Sequence, residues 1–181
     1  MLAGVARDQA CHDAAVSRPR IDGQRLALIP LPAAAAAALP AGRAEAARMI
    51  GAILPDAWPL PDLLGVLPMQ AAATPDQERF GIWLIVERET NTVVGDVGFH
   101  GPPDNGRVEI GFSVIADRRR RGYASEAARS IVDWAIGQPE VREVVARSET
   151  DNEASARTLA AAGFARVGER EGLIEWRLAR R

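Results

Sequence analysis

Lysine is missing altogether: all 22 basic residues of this 181-residue chain are arginine, and with 24 acidic residues they leave a net charge of -2. That balance argues against a general nucleic-acid binder. Cysteine is nearly missing as well. The single Cys11 cannot close a disulfide within the chain, makes a poor candidate nucleophile so near the N-terminus, and fits a reducing cytoplasm as the expected compartment. A chain of this length buries roughly 70% of the surface it exposes when unfolded, so neither a disulfide nor a metal is needed to hold it folded, and no metal site is expected. No apolar run is long enough to cross a membrane. The longest uncharged stretch, Leu26 to Gly42, falls short of the about 20 residues a spanning helix needs and is interrupted by Pro30, Pro32 and Pro40. No secretory signal is expected at the start either, because Arg7, Asp8, His12 and Asp13 lie where its apolar centre would be. Residues 1–20 are therefore expected to be a loose extension, and residues 21–181 a single domain without internal repeats.

What is present is patterned. Arg25 to Pro30 reads as a short strand, ended by prolines that cannot donate to a ladder. Two helical segments are expected next. Arg43 to Leu54 places Ala46, Ala47, Ile50 and Ile53 on one face, and the proline-rich run from Trp58 to Pro68 holds a short helix within a loop. Gly81 to Glu87 and Thr92 to His100, rich in β-branched and aromatic residues, form a hairpin around the polar turn Arg88 to Asn91. From Arg107 to Ile115 the residues alternate, with Val108, Ile110, Phe112 and Val114 on a core face and Arg107, Glu109, Gly111 and Ser113 on a face that can line a site. Helical spacing then runs from Tyr123 to Ile136, followed by a strand at Val141 to Arg147. A helix from Asn152 to Ala162 has Asp151 or Asn152 as its cap and Gly163 at its left-handed end, and strands near Phe164 to Glu169 and Ile174 to Leu178 complete the chain.

The segment Asp117-Arg118-Arg119-Arg120-Arg121-Gly122-Tyr123-Ala124-Ser125-Glu126 joins a strand to a helix. Four arginines alone read as a solvated surface run or as a basic patch. Their placement adds a chemistry, because a helix N-terminus exposes unpaired N–H groups and partial positive charge. Gly122 lets the chain turn closely around an anion, Ala124 keeps the approach open, and the arginines add bidentate donors. Together they suggest a pyrophosphate cradle.

Arg119-x-x-Gly122-x-Ala124 resembles the acyl-CoA pyrophosphate loop of the GNAT N-acetyltransferase superfamily. Val108 to Phe112 resembles that superfamily's fourth strand, Gly122 to Ala127 its following helix, and Asn152-x-x-Ser155 with Gly163-Phe164 its last helix and strand. The combination is most similar to the RimJ/RimL-like branch, which includes enzymes that acetylate protein N-termini. The resemblance implies a mixed α/β (α+β) fold with a mostly antiparallel central sheet flanked by helices, whose fourth and fifth strands splay around the acyl-CoA arm. It implies acetyl-CoA as donor and an amine as acceptor. The arm would bond backbone groups at Phe112, Ser113, Val114 and Ile115, and the pyrophosphate would rest on Arg119, Arg120, Arg121, Gly122, Tyr123 and Ala124. Asn152 would hold the arm as well as cap its helix, and Ser155 would lie near the sulfur.

Amine acetylation needs a neutral amine, a polarised thioester carbonyl and a proton for the departing thiolate. Glu109 is the first candidate to take the amine proton, with pairing to an arginine as its structural alternative; Asp96, His100 and Glu149 rank behind it. Where many superfamily members carry a tyrosine as proton donor, this chain has Leu159, and its only tyrosine, Tyr123, sits in the phosphate loop. Ser155, water or direct thiolate release remains. The acceptor wall is expected near Trp58, Met69 and His100. The alternatives from other classes are an acyl-CoA-binding sensor without turnover and a nucleic-acid binder using Arg118 to Arg121. Monomer and homodimer are both compatible with the sequence.

Overall fold

The computed structural model describes residues 19–180. The extension expected over residues 1–20, Cys11 included, lies outside the described residues except for Pro19 and Arg20. Eight strands form one sheet in the order β1-β2-β3-β4-β5-β6-β8-β7, with β1 Ile21–Asp22, β2 Leu26–Pro30, β3 Ile82–Glu87, β4 Thr92–Phe99, β5 Arg107–Val114, β6 Glu143–Glu149, β7 Ala165–Arg170 and β8 Leu173–Ala179. Every neighbouring pair is antiparallel except β5 and β6. That parallel pair requires a crossover, supplied by the long helix α6 (Tyr123–Gly137).

Both faces of the sheet are covered. On one side α6 presents Tyr123, Ala127, Ala128, Ile131, Val132 and Ala135, the buried stripe of a helix. Trp134 of α6 lies 5.0 Å from Trp83, 5.5 Å from Phe80 and 5.8 Å from Phe99, so rings from β3 and β4 fix the helix on the sheet. The helix α7 (Glu153–Ala161) adds buried Leu159 to the same core, and Gly163, at φ +95°, lets the Phe164 amide bond back to the Leu159 carbonyl. The opposite face is covered by α1 (Ala33–Ala38), α2 (Arg43–Ile50), α3 (Pro61–Leu64) and α4 (Leu67–Ala71), which pack Ala35, Ala46, Leu63 and Leu67 against Leu84 and Val93. A further short helix, α5 (Pro75–Glu78), precedes β3.

Two expectations change. The segment before Gly81 holds five short helices rather than two, because prolines at 32, 61, 68 and 75 each start or restart a helix. The Ala-rich run tested as a membrane segment is partly the helix α1, six residues long, and no described helix is long and apolar enough to cross a membrane. The helix expected to reach Leu54 ends at Gly51, which takes the left-handed conformation at φ +76°.

The feature that positions a site is the parting of β5 from β6. Their pairing covers only Arg107–Ile110 against Glu143–Ala146. Beyond it β6 stays with β8 through Glu149, while β5 stays with β4 through Val114. They correspond to the fourth and fifth strands that the resemblance led us to expect to splay, numbered one higher here because the two-residue β1 precedes them.

Candidate active site

A cleft of about 710 Å³ opens beside the part of β5 that β6 has left. β5 contributes Phe112, Ser113 and Val114, the loop and start of α6 contribute Arg118, Arg119, Arg120, Gly122, Tyr123, Ala124 and Ser125, and α7 contributes Asn152, Ser155, Arg157 and Thr158. Leu60 and Asp62 close it from the side of α3.

The start of α6 is built to receive an anion. Gly122, at φ +79°, occupies the left-handed region and gives no side-chain cap to the helix. None of the backbone N–H groups from Arg120 to Ser125 is hydrogen-bonded within the described residues, which leaves six donors without an acceptor there at the positive end of the helix dipole. This cradle fits a pyrophosphate by its chemistry.

Under the loop lies a network that the local sequence pattern did not announce. Glu87, at the buried end of β3, accepts hydrogen bonds from the Tyr123 hydroxyl, from Thr90 at 2.7 Å and from Arg118 at 2.8 Å. The Tyr123 hydrogen bond, foremost, holds the Glu87 carboxyl below its ordinary range, while the same bond pushes the Tyr123 phenol up. Arg25 braces the loop from outside. It ion-pairs with Glu126 at 2.8 Å, donates to the Arg121 carbonyl at 2.9 Å and stacks over Tyr123. The arginine run is therefore divided in labour: Arg118 is committed to Glu87, and Arg119 donates through Nε to the Val114 carbonyl at 2.9 Å. A free four-arginine surface for nucleic acid is not what this loop presents.

The other expected site residues fall into three groups. Phe112, Ser113, Val114, Arg119, Arg120, Gly122, Tyr123, Ala124, Asn152 and Ser155 line the cleft together. Ile115 is buried in the core on the α1–α4 side, and Arg121 is outside the cleft lining. Of the expected acceptor wall, Trp58 is fully buried, Met69 is exposed on α4, and His100 is largely exposed, 3.5 Å from Glu109. Glu109 is also paired with Arg147 at 3.2 Å.

Asp96 has a different setting. It is buried on β4 next to Gly95, where a Cβ would overlap the Ser113 carbonyl, so β4 and β5 approach closely there. Trp58 and Ser113 both donate to its Oδ2, each at 2.9 Å, and burial pushes its carboxyl up to about 6 against the lowering effect of those two bonds. A lone carboxylate in the otherwise apolar run Thr92 to Phe99 was the sequence signal for it.

Asn152 caps α7: its Oδ1 accepts the Ser155 amide at 3.0 Å, leaving the side-chain NH2 beside the cleft without an acceptor among the described residues. Asn152→Ala is expected to cost about 1 kcal/mol of apo stability from the lost cap and, in addition, acetyl-CoA affinity. Ser155→Ala is expected to leave apo stability nearly intact and to reduce turnover more than binding. Paired melts with and without acetyl-CoA, joined to steady-state kinetics, separate the two. Wild-type turnover in Ser155→Ala across the pH range would leave thiolate protonation to solvent.

Comparison with known proteins agrees with this geometry. A family model described as "Acetyltransferase (GNAT) domain" matches residues 25–165. An uncharacterized N-acetyltransferase of Bacillus subtilis, YjdG, is 43% identical over 86 residues, which are 47% of this chain and 51% of YjdG. The matched region thus spans about half the length of that curated relative. Among solved structures, the ribosomal-protein-S5-alanine acetyltransferase of Vibrio fischeri superposes with a TM-score of 0.65 at 15% identity, covering 90% of this chain and 97% of that one. The microcin C7 self-immunity acetyltransferase MccE, solved in complex with acetyl-CoA and AMP, superposes with a TM-score of 0.59 at 15% identity, covering 87% and 93% respectively. At these identities the solved structures speak for the fold: a mixed α/β GNAT sheet, mostly antiparallel and flanked by helices.

Proposed function

Because the chain belongs to the GNAT acetyltransferase domain family, we propose that it is an N-acetyltransferase that moves the acetyl group of acetyl-CoA directly to a primary amine. The observation that carries this reading is the cleft between α7 and the part of β5 that β6 has left, bordered by the uncapped start of α6. The amides from Arg120 to Ala124, with the guanidinium groups of Arg119 and Arg120, hold the pyrophosphate. Backbone groups at Phe112 to Val114, no longer engaged by β6, take the pantetheine arm, and Asn152 donates to it from α7. Acetyl-CoA supplies an activated thioester carbonyl. Unpaired N–H groups on the β6-facing edge of β5 are suited to polarise it. Ser155, which lines the same cleft, protonates the leaving thiolate in this reading.

The residues quoted above favour the RimJ/RimL-like branch, and the V. fischeri neighbour, described as a ribosomal-protein-S5-alanine acetyltransferase, is in keeping with a protein N-terminus as acceptor. The reading is tested by adding acetyl-CoA at a hundredfold excess over its Kd, which should stabilise the chain by about 2.7 kcal/mol. Thiol release should then follow on addition of peptides with free N-termini or small primary amines. Binding without thiol release from any amine would favour the sensor without turnover. No stabilisation at all would remove the acetyl-CoA assignment.

A further inference from the structure

Among the described residues Asp96 is a buried carboxylate with no cationic partner, in a chain rich in arginine. Glu87, similarly low in exposure, has Arg118; among the described residues Asp96 has only Trp58 from the loop before α3 and Ser113 from β5, both donating to Oδ2. Its Oδ1 carries no hydrogen bond from any described residue. The strand on its other side places Leu84 opposite it, and the one charged group acting on it is another acid, Asp62 of α3, which raises its pKa further. Burying a carboxylate without a counter-ion is costly, and neutral hydrogen-bond donors offset only part of that cost. Such a group stays in a fold most readily where it meets a cation that arrives with a substrate.

Its position suits that use. Asp96 stands opposite Ser113 in the β4–β5 register, and Ser113 lines the cleft on the part of β5 that β6 has left. Asp62 lines the cleft as well. The cleft is therefore polarised, with Arg118, Arg119 and Arg120 at the anion cradle and Asp62, backed by Asp96, on the side of α3.

Resting on the acetyl-CoA reading above, we propose that Asp96 receives the acceptor as an ammonium ion and takes its proton, and that the acceptors are amines without an adjacent carboxylate. The ammonium gives one N–H proton to the Asp96 carboxylate. The freed nitrogen lone pair forms the C–N bond to the acetyl carbonyl carbon, the C–S bond breaks with its electron pair on sulfur, and the second N–H proton of the now cationic nitrogen passes to the thiolate, directly or relayed through Ser155 or water, leaving a neutral amide and a free thiol. Asp96 returns to the carboxylate by releasing its proton to water. An α-carboxylate on the acceptor would face Asp62 and Asp96 with like charge, so a peptide N-terminus or an amino-acid amide is taken and a free amino acid is refused. Glu109, already between His100 and Arg147, is left to position the strand.

The test compares wild type, Asp96→Asn and Glu109→Gln with alaninamide and alanine as probe acceptors. Asp96→Asn should lower kcat/KM for alaninamide by roughly 100-fold, with acetyl-CoA affinity unchanged within about twofold. The wild-type profile should fall on the acid side near pH 6, where Asp96 becomes protonated, and that limb should vanish in the variant. A raised carboxyl leaves the folded state fully stabilised only below its unfolded pKa and weakens it as pH rises through about 6. Apo Asp96→Asn should accordingly melt a few degrees above wild type at pH 8 while being the less active protein, a combination that a merely structural aspartate would not produce. Alaninamide should exceed alanine by at least about tenfold in wild type, the scale of one like-charge contact. If Asp96→Asn does not fold, Ser113→Ala carries the test: losing a bond that lowers the Asp96 pKa must move the acid limb upward, and an unmoved limb overturns the proposal. So does unchanged kcat/KM in Asp96→Asn, or a wild type that binds acetyl-CoA yet acetylates alanine as readily as alaninamide or neither of them at pH 8. Failure to bind acetyl-CoA would instead overturn the reading beneath it.

Discussion

Glu87→Ala is expected to lose about 3 kcal/mol of unfolding free energy, the lower end of the cost of breaking a buried ion pair. The carboxylate is the common acceptor for Tyr123, Thr90 and Arg118, and its removal strands a buried phenol and a guanidinium that has only partial access to water. Both stranded groups belong to the segment that forms the anion cradle, so acetyl-CoA affinity should fall together with stability. Urea denaturation checks the first effect and calorimetry the second. The pH dependence has a definite sign. The Glu87 carboxyl lies below its ordinary value of 4.5 in the folded chain, so its stabilisation is present above that value and is lost as pH falls through the lower folded value. Glu87→Gln should be flat through that acid window. A Glu87→Ala protein within about 0.5 kcal/mol of wild type, the range of an ordinary surface change, would remove the network from any structural role.

Gly122→Val is expected to weaken acetyl-CoA binding by about 30-fold, equivalent to about 2 kcal/mol. A side chain at Gly122 would meet only the Arg25 guanidinium, at 3.4 Å, so crowding within the protein is not the cause. The cause is backbone: φ is +79° there, a region costly for a β-branched residue, and relief of that strain turns the amides of the cradle away from their common focus. The anion itself would also meet the new methyl groups. Equal affinity in wild type and variant would separate the loop from the cofactor.

The loop before α6 was legible because everything that forms it is contiguous: a strand end, a glycine with positive φ and a helix start within a few residues. The alternation from Arg107 to Ile115 likewise announced β5, and Gly163 announced the end of α7. The α1–α5 region was less so, since its short helices are held by packing against Leu84 and Val93, partners far away in the chain, with prolines setting only their starts. Contacts across the sheet were the least legible. Glu87 meets Tyr123 across 36 positions, and Asp96 meets Trp58 across 38, so neither network leaves a local spacing to read. Trp58 was expected to touch substrate from its place in a loop. The fold instead buries it and gives its indole N–H to Asp96.

A crystal structure of the chain with acetyl-CoA tests the central claim most directly. The expected result is a pyrophosphate within hydrogen-bond distance of the backbone N–H groups between Arg120 and Ser125, and a thioester lodged where β5 and β6 part beyond Ile110 and Ala146. Acetyl-CoA held instead in the outer hollow lined by Gly23, Arg25 and Arg129, or no bound acetyl-CoA at saturating concentration, would contradict it.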